Sequence, residues 1–439
     1  MTYEEALNYI SSTYKFGKKI GLELITELME RLGNPQDKLK YVHVAGTNGK
    51  GSTSTMTATV LKKAGYKTGL YISPYLEVFN ERIQINNIPI SNVRLAEVTE
   101  KVKDVIDGMI ADGIPQPSEF ETITAIAFEY YAEENVDIVV LEVGMGGRLD
   151  ATNIIKNAEV AIICTLSLEH QQYLGNTLRE IAFEKSGIIK HSYDVSVYAL
   201  TEDEAKEEIL RNAKEREANV YFCDKDDVEL VADSIDGQVI KYKKQDSILG
   251  IDEYTLALLG SHQIYNSLNV INALEILKRK GWDISPEAIL AGMNEVKFTG
   301  RFELLCKEPV IVIDGGHNIE GINSFVSNVK RYFGNRKVNL FYGMLGDKQV
   351  DQSVEQLASI SEFIYTLTPD DARAVTSNEM KDYINKVHPE IPVISLDYVE
   401  QSGQYIDFTR KDTIYAFTGS LYMIGYARTY LNKLIEENK

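Results

Sequence analysis

The segment Val44-Ala45-Gly46-Thr47-Asn48-Gly49-Lys50-Gly51-Ser52-Thr53 constrains this chain more than any other. Residues 41–44 read as a strand that ends on a glycine-rich turn. A lysine and hydroxyl residues then open a helix that runs to about Gly65. Strand, turn and helix in that order let backbone N–H groups face a phosphate closely. The helix N-terminus adds positive potential, and Lys50 adds a point charge. The common P-loop expression does not fit, because Val44 stands where its first glycine belongs and Gly51 follows the lysine in place of Ser or Thr. The alternative is a flexible surface turn; the strand before and the helix after favour phosphate binding.

Such a fold needs a long chain, and 439 residues suffice for two to three domains. Lys and Arg number 46 against 65 Asp and Glu, so the net charge is −19. That field repels nucleic acid and anionic membrane surfaces, so any anionic ligand must be held by local donors. The three cysteines, Cys164, Cys223 and Cys306, lie far apart in no metal spacing, which suits a reducing compartment. The acidic start Met1-Thr2-Tyr3-Glu4-Glu5 is unlike a signal peptide, and no apolar run reaches the roughly 18 residues of a membrane span. A soluble cytoplasmic protein is expected.

Strand and helix patterns alternate along most of the chain. The runs 137–141 and 160–165 are continuously apolar, as parallel strands covered on both faces should be. The expectation is an α/β protein: an N-terminal, mostly parallel sheet flanked by helices, carrying the phosphate loop, and a smaller Rossmann-like C-terminal α/β domain. Residues 220–260 alternate instead, with Asp236-Gly237 as a hairpin turn, and suggest a small antiparallel excursion. After Phe298-Thr299-Gly300-Arg301 the rhythm restarts, which divides the chain into 1–297 and 298–439.

Several polar residues follow strands. Ser73 follows residues 68–72, Glu142 follows 137–141 and precedes Gly144-Met145-Gly146-Gly147-Arg148, and Glu169-His170 follows 160–165. In an open parallel sheet the ligand crevice lies at those carboxyl ends. Hydroxyl, carboxylate and imidazole beside a triphosphate make a candidate Mg²⁺ site, although imidazole is unusual for so hard a cation. Taken singly, Ser73 is a turn residue and His170 a loop histidine; taken together, they favour function. Lys185 falls late in a helix and would ordinarily be solvated. His262-Gln263 and Asn266 open a long helix, where capping is the plainer reading. Arg301 either forks a phosphate or bridges the domains. Asp314-Gly315-Gly316-His317-Asn318 suits a ribose and a phosphate, or equally a helix N-cap. The segments 343–348 and 418–422 are further turns after strands.

In this order, His43 to Ser52, Ser73-Pro74-Tyr75, Phe79-Asn80-Glu81-Arg82-Ile83, Glu142 to Asn153, Glu184-Lys185-Ser186-Gly187-Ile188-Ile189, Gly300-Arg301, Asp314 to Asn318 and Thr418-Gly419-Ser420-Leu421 resemble the folylpolyglutamate synthase/dihydrofolate synthase family of the Mur-ligase superfamily. The resemblance covers nearly the whole chain. It implies an ATP-dependent amide ligase that phosphorylates a carboxylate of a folate or dihydropteroate and joins it to L-glutamate, with Mg²⁺, as a monomer. It implies that Gly46, Thr47, Asn48, Gly49, Lys50, Gly51 and Ser52 cradle phosphates and that Ser73, Glu142 and His170 bind the metal. Lys185 matches a lysine that the family carries as a carbamate. Asn266 and Arg301 would contact the nucleotide, Asp314 the ribose, and His317 the region near the phosphates. Arg82, Phe120, Glu121 and Asp150 would border the folate and second-metal region. Three places depart from the family: Glu169-His170 replaces Asp-His, Phe298-Thr299 replaces Trp-Pro, and Gly316-His317-Asn318-Ile319 replaces Ala-His-Asn-Pro. The rival readings are a Mur-type ligase acting on a UDP-muramyl acid and a non-catalytic nucleotide switch.

Overall fold

Five consecutive buried residues, Tyr41–Ala45, form β1 inside the larger sheet. Side chains alternate across it: Val42 and Val44 enter one core, Tyr41 and Ala45 the other. The computed structural model describes residues 1–13, 21–346 and 349–438. The other strands of this sheet are Thr68–Tyr71 (β2), Ile83–Ile85 (β3), Ile88–Pro89 (β4), Ile138–Glu142 (β5), Ala158–Ile163 (β6), Asp194–Val197 (β7) and Asn219–Phe222 (β8). Among the described residues their order is β4-β3-β2-β5-β1-β6-β7-β8. Pairing is parallel except along β2/β3 and β3/β4. Asn86 and Asn87, at φ 53° and 59°, make the β3–β4 turn, the two positive φ values that such a hairpin needs. From β1 the chain runs toward β2 and later crosses to β6 on the other side, so a crevice opens at the carboxyl end of β1.

Helices cover both faces. The Lys50–Lys63, Ser261–Arg279 and Pro286–Glu295 helices pack with Val42 and Val44. The Glu23–Arg31, Asn92–Ala111 and Glu119–Glu133 helices pack on the opposite side. The Glu119–Glu133 helix begins at a full capping box between Ser118 and Glu121, which satisfies two orphan donors. Trp282 meets Tyr66 edge-on at 4.8 Å, and its Nε1 donates to Glu159 at 3.2 Å, within this lobe.

The antiparallel excursion is narrower than expected. Val228–Ser234 (β9), Gly237–Tyr242 (β10) and Glu253–Leu256 (β11) form it, whereas residues 219–222 belong to the parallel sheet as β8. A third sheet contains Glu303–Lys307 (β12), Val310–Asp314 (β13), Val338–Tyr342 (β14), Ser361–Thr366 (β15), Val393–Ser395 (β16) and Ile414–Thr418 (β17), in the order β12-β13-β17-β14-β15-β16. It is parallel except at β12. On one face Phe341 stacks on Phe417 at 4.2 Å and on Tyr365 at 4.6 Å. Asp347 and Lys348 of the 343–348 turn lie outside the described residues.

The two lobes meet closely. The Leu76 carbonyl packs on Gly425 in the Leu421–Glu437 helix, where a Cβ would stand 1.9 Å from its oxygen. Beside it Arg428 forks Glu303 and reaches Glu77 at 2.6 Å, and Thr429 donates to Glu77 at 2.6 Å. Gly425→Ala adds a helix preference of up to ~1 kcal/mol, but the backbone carbonyl must move. The expected net loss is about 1–3 kcal/mol in urea unfolding, with a larger radius of gyration by X-ray scattering. An unchanged radius and stability would show that the Leu76 loop yields freely.

Candidate active site

The turn after β1 is built by close approach. Gly49 lies at φ 85°, and a Cβ there would stand 2.6 Å from Asn266 Oδ1. At Gly51 a Cβ would stand 2.6 Å from the Phe298 ring, which accounts for glycine after the lysine. Thr47 is fixed by its N–H to Thr165 O at 2.7 Å and by a reciprocal pair with Ser167 at 3.1 Å. Ser52 accepts from Gln263 Nε2 at 3.1 Å, and Gln263 in turn accepts from Asn266 at 3.0 Å. Lys50 Nζ donates to the carbonyls of Gly46 and Thr47, each at 2.9 Å.

Lys185 Nζ donates to the same Gly46 carbonyl at 2.7 Å, although the side chain is only 3% exposed. Burial pushes its pKa down to about 7, and the Lys50 cation pushes the same way; Glu169, Cys164 and Asp150 oppose both. A lysine that sequence pattern places on a solvated face is thus an inward-facing amine.

Ser73, Glu142 and His170 line one cavity. Glu142 is buried, and among the described residues its carboxylate accepts one hydrogen bond, from Ser73 N to Oε2 at 3.1 Å. Burial raises its pKa to about 7 against the opposing charges of Lys50, Arg301 and Arg82. His170, at φ 50°, sits with Nε2 3.8 Å from Glu169 Oε1. Among the described residues no three His, Cys, Asp or Glu side chains cluster as a metal cage. A carboxylate this poorly compensated, beside a hydroxyl, nevertheless fits a hard divalent cation whose remaining ligands are phosphate oxygens and water.

A neighbouring cavity of about 530 Å³ is lined by Arg82, Phe120, Glu121, Asp150 and the 144–149 loop. The Phe120 ring lies against Gly144, where a Cβ would stand 2.5 Å from it. Glu121 is occupied as the cap, accepting from Ser118 N and Oγ at 2.8 and 2.6 Å. Asp150 accepts from Met145 N at 2.9 Å and from Thr152 Oγ1 at 2.6 Å, so it shapes the loop that walls the cavity. Arg82 lies over the rings of Tyr75 and Phe79, at 5.2 and 5.8 Å, and its buried Nε has no hydrogen bond.

The phosphate-loop cavity, about 410 Å³, also contains Arg301, Asp314 and His317 from the second lobe. Asp314 accepts from Phe302 N and Gly316 N, each at 2.7 Å, and Asn318 caps the Ile319–Phe333 helix through Gly321 N at 2.8 Å. The helix-cap reading of that turn is thus seen at Asn318, while Asp314 ties down its own backbone at the cavity wall. His317 Nδ1 lies 2.9 Å from Gly315 O. Glu320 is not singled out by the sequence, and Phe298 and His262 are named there without the roles that the structure gives them. Glu320 accepts from Asn48 and from Ser167 Oγ, the latter at 3.0 Å. The Phe298 ring covers Gly51. His262 pairs with Ser324 at 3.0 Å, and burial lowers its pKa to about 4. Phe298, beside the Gly-Arg pair, and His262, at a helix start, carry a local signal; Glu320 carries none.

The Mur ligase middle domain model matches residues 44–274, and the Mur ligase glutamate ligase domain model matches 300–421. The dihydrofolate synthase/folylpolyglutamate synthase of Bacillus subtilis is 34% identical over 98% of this chain and 99% of its own. The crystal structure of Thermotoga maritima folylpolyglutamate synthase superposes with TM-score 0.86 at 32% identity, covering 98% of this chain and 96% of that one. The Mycobacterium tuberculosis enzyme complexed with ADP and AMPPCP gives 0.85 at 28% identity, covering 97% and 98%.

A carboxyl whose folded pKa lies above its unfolded value holds its proton more tightly when folded. The stability it contributes is present at low pH and is lost as pH rises from about 4.5 through about 7. Glu142→Gln removes that loss. The metal-free variant is expected to exceed wild type by about 1–3 kcal/mol at pH 8 and to match it near pH 4.5 in chemical denaturation. Equal stability at pH 8 would mean that the carboxylate is adequately compensated.

Proposed function

Because this chain belongs to the folylpolyglutamate synthase/dihydrofolate synthase family of Mur ligases, which are ATP-dependent ligases, we propose that it joins L-glutamate to a folate, with dihydropteroate as a second acceptor, through an acyl phosphate. The observation that carries this reading is the junction of two cavities. The phosphate-loop cavity and the one walled by Phe120, Met145 and Leu149 share Ser73, Pro74, Gly144 and His170. A triphosphate in the first and a carboxylate reaching out of the second would meet there.

A carboxylate is a poor electrophile, and phosphorylation gives it a leaving group. The acyl phosphate hydrolyses readily, so the lobes 1–297 and 298–439, taken as the two domains, close over it and exclude water. Residues 46–52 bind the phosphates through backbone N–H groups, Lys50 faces the transferred charge, and His317 lies beside it. Asn266 and Arg301 hold the nucleotide, and Asp314 orients its ribose. Arg82, with its unpaired Nε, draws the substrate carboxylate, while Phe120, Glu121 and Asp150 shape the folate wall. Ser73, Glu142 and His170 would hold Mg²⁺, which when bound offsets charge on the phosphoryl group. The Lys185 amine, neutral above about pH 7, adds CO₂ to form an N–C bond and loses a proton, leaving an anionic carbamate. A cytoplasmic monomer completes the reading; the three unbridged cysteines favour a reducing setting.

ADP release dependent on both L-glutamate and tetrahydrofolate or dihydropteroate is the expected result. Release with a UDP-muramyl acid but no folate would overturn the reading. Lys50→Ala is expected to lower kcat at least ~100-fold, and a normal kcat would refute the loop assignment. Lys185→Ala should be comparably impaired with an unchanged melting temperature. Wild-type activity should fall as pH drops below about 7 and the amine is protonated. Full activity of the alanine variant would remove the carbamate from the mechanism.

A further inference from the structure

A third cavity, of about 340 Å³, lies between the Lys50–Lys63 helix, the β3–β4 hairpin and the linker containing residues 295–301. Leu421 of the second lobe forms part of its wall. It touches both other cavities at Pro74, and it shares Phe298 and Arg301 with the phosphate-loop cavity. Four charged side chains line it: Glu81, Glu295, Lys297 and Arg301.

The acids are already engaged. Glu81 accepts from three backbone N–H groups, those of Leu76, Glu77 and Val78, at 2.8, 3.1 and 3.0 Å. Glu295 pairs with Lys63. The bases are less so: among the described residues neither Lys297, which is exposed, nor Arg301 makes an ion pair, although Arg301 lies over the Phe298 ring at 5.7 Å and its charge reaches Asp314 and Glu142. In a chain of net charge −19, Lys297 without an ion pair, beside an arginine shared with the nucleotide cavity, makes this cavity locally positive.

A second observation points the same way. Thr57 and Thr59 donate back to the helix carbonyls of Thr53 and Thr55 at 2.7 Å, but Thr55 does not. Thr55 is 5% exposed, lines this cavity, and its Oγ1 has no hydrogen-bond partner. Asn87 donates to Thr59 at 2.8 Å, while its buried Oδ1 is also unpartnered. Buried polar atoms left in this way are costly unless a ligand satisfies them. A cation, a hydroxyl donor and an amide acceptor match a carboxylate that carries an N–H on the adjacent carbon.

We propose that this cavity binds a glutamyl unit, its α-carboxylate held by Lys297 and the Thr55 hydroxyl, with Arg301, committed to the nucleotide, at the cavity's edge, and its N–H facing Asn87 Oδ1. The assignment rests on the ligase reading and adds a location to it. The unit is either the incoming L-glutamate or a residue of a γ-linked tail already on the folate; both present the same group.

Lys297→Ala and Thr55→Val separate the two sources and leave the phosphate loop intact. Loss of one charge-assisted bond is expected to weaken binding about tenfold with kcat unchanged. A raised KM for L-glutamate identifies the free amino acid. A raised KM for triglutamyl but not monoglutamyl tetrahydrofolate identifies the tail. Unchanged KM values for all of these substrates in both variants overturn the proposal. Calorimetric titration of L-glutamate and of γ-glutamylglutamate into the full chain gives a readout besides turnover. Binding that weakens in Lys297→Ala, in a protein that releases no ADP with any folate, would uphold the site and reject the ligase reading.

Discussion

One backbone carbonyl organises the candidate active site. Gly46 O accepts from Lys50 at 2.9 Å and from Lys185 at 2.7 Å, so two amines converge where only one ammonium is readily accommodated. The first stands at the start of the Lys50–Lys63 helix and lines the cavity. The second is buried and its ammonium form is disfavoured. Among the described residues no carboxylate bonds either amine directly, and the nearby Glu142 is itself displaced toward neutrality. The centre therefore holds an amine pushed down and a carboxyl pushed up, both to about 7, each buried and short of a compensating charge.

This arrangement explains how an acidic protein gathers anionic ligands. The charge excess of −19 is answered locally by Lys50, Arg82, Lys297 and Arg301, which line the three adjoining cavities. Several of the acids among them are occupied with backbone work: Glu81 ties down the Leu76 loop, Glu121 caps a helix, and Asp314 pins the linker. An acid that holds the chain in place does not repel a ligand as an exposed one would.

Much of this was legible in sequence because it is local. The phosphate loop, the capping box at Ser118 and the paired α/β lobes follow from residue types at fixed spacing. The β3–β4 hairpin was less legible: its strands are three and two residues long, too short for a periodic signal, although Asn86-Asn87 marks the turn. β12 shows no alternation, being half-buried along most of its length. Glu320 could not be read at all, since only the meeting of the two lobes brings it to Asn48. Lys185 required burial, which no helical period reports when the surrounding residues are as polar as Glu184 and Ser186.

The chain has a single tryptophan, and its position is useful. Trp282 packs on Tyr66 and bonds to Glu159, all within the first lobe. The second lobe contains tyrosines but no indole. Fluorescence excited at the red edge of indole absorbance is thus a native optical label for one half of the molecule, distinguishing its melting from that of the other without any engineered dye.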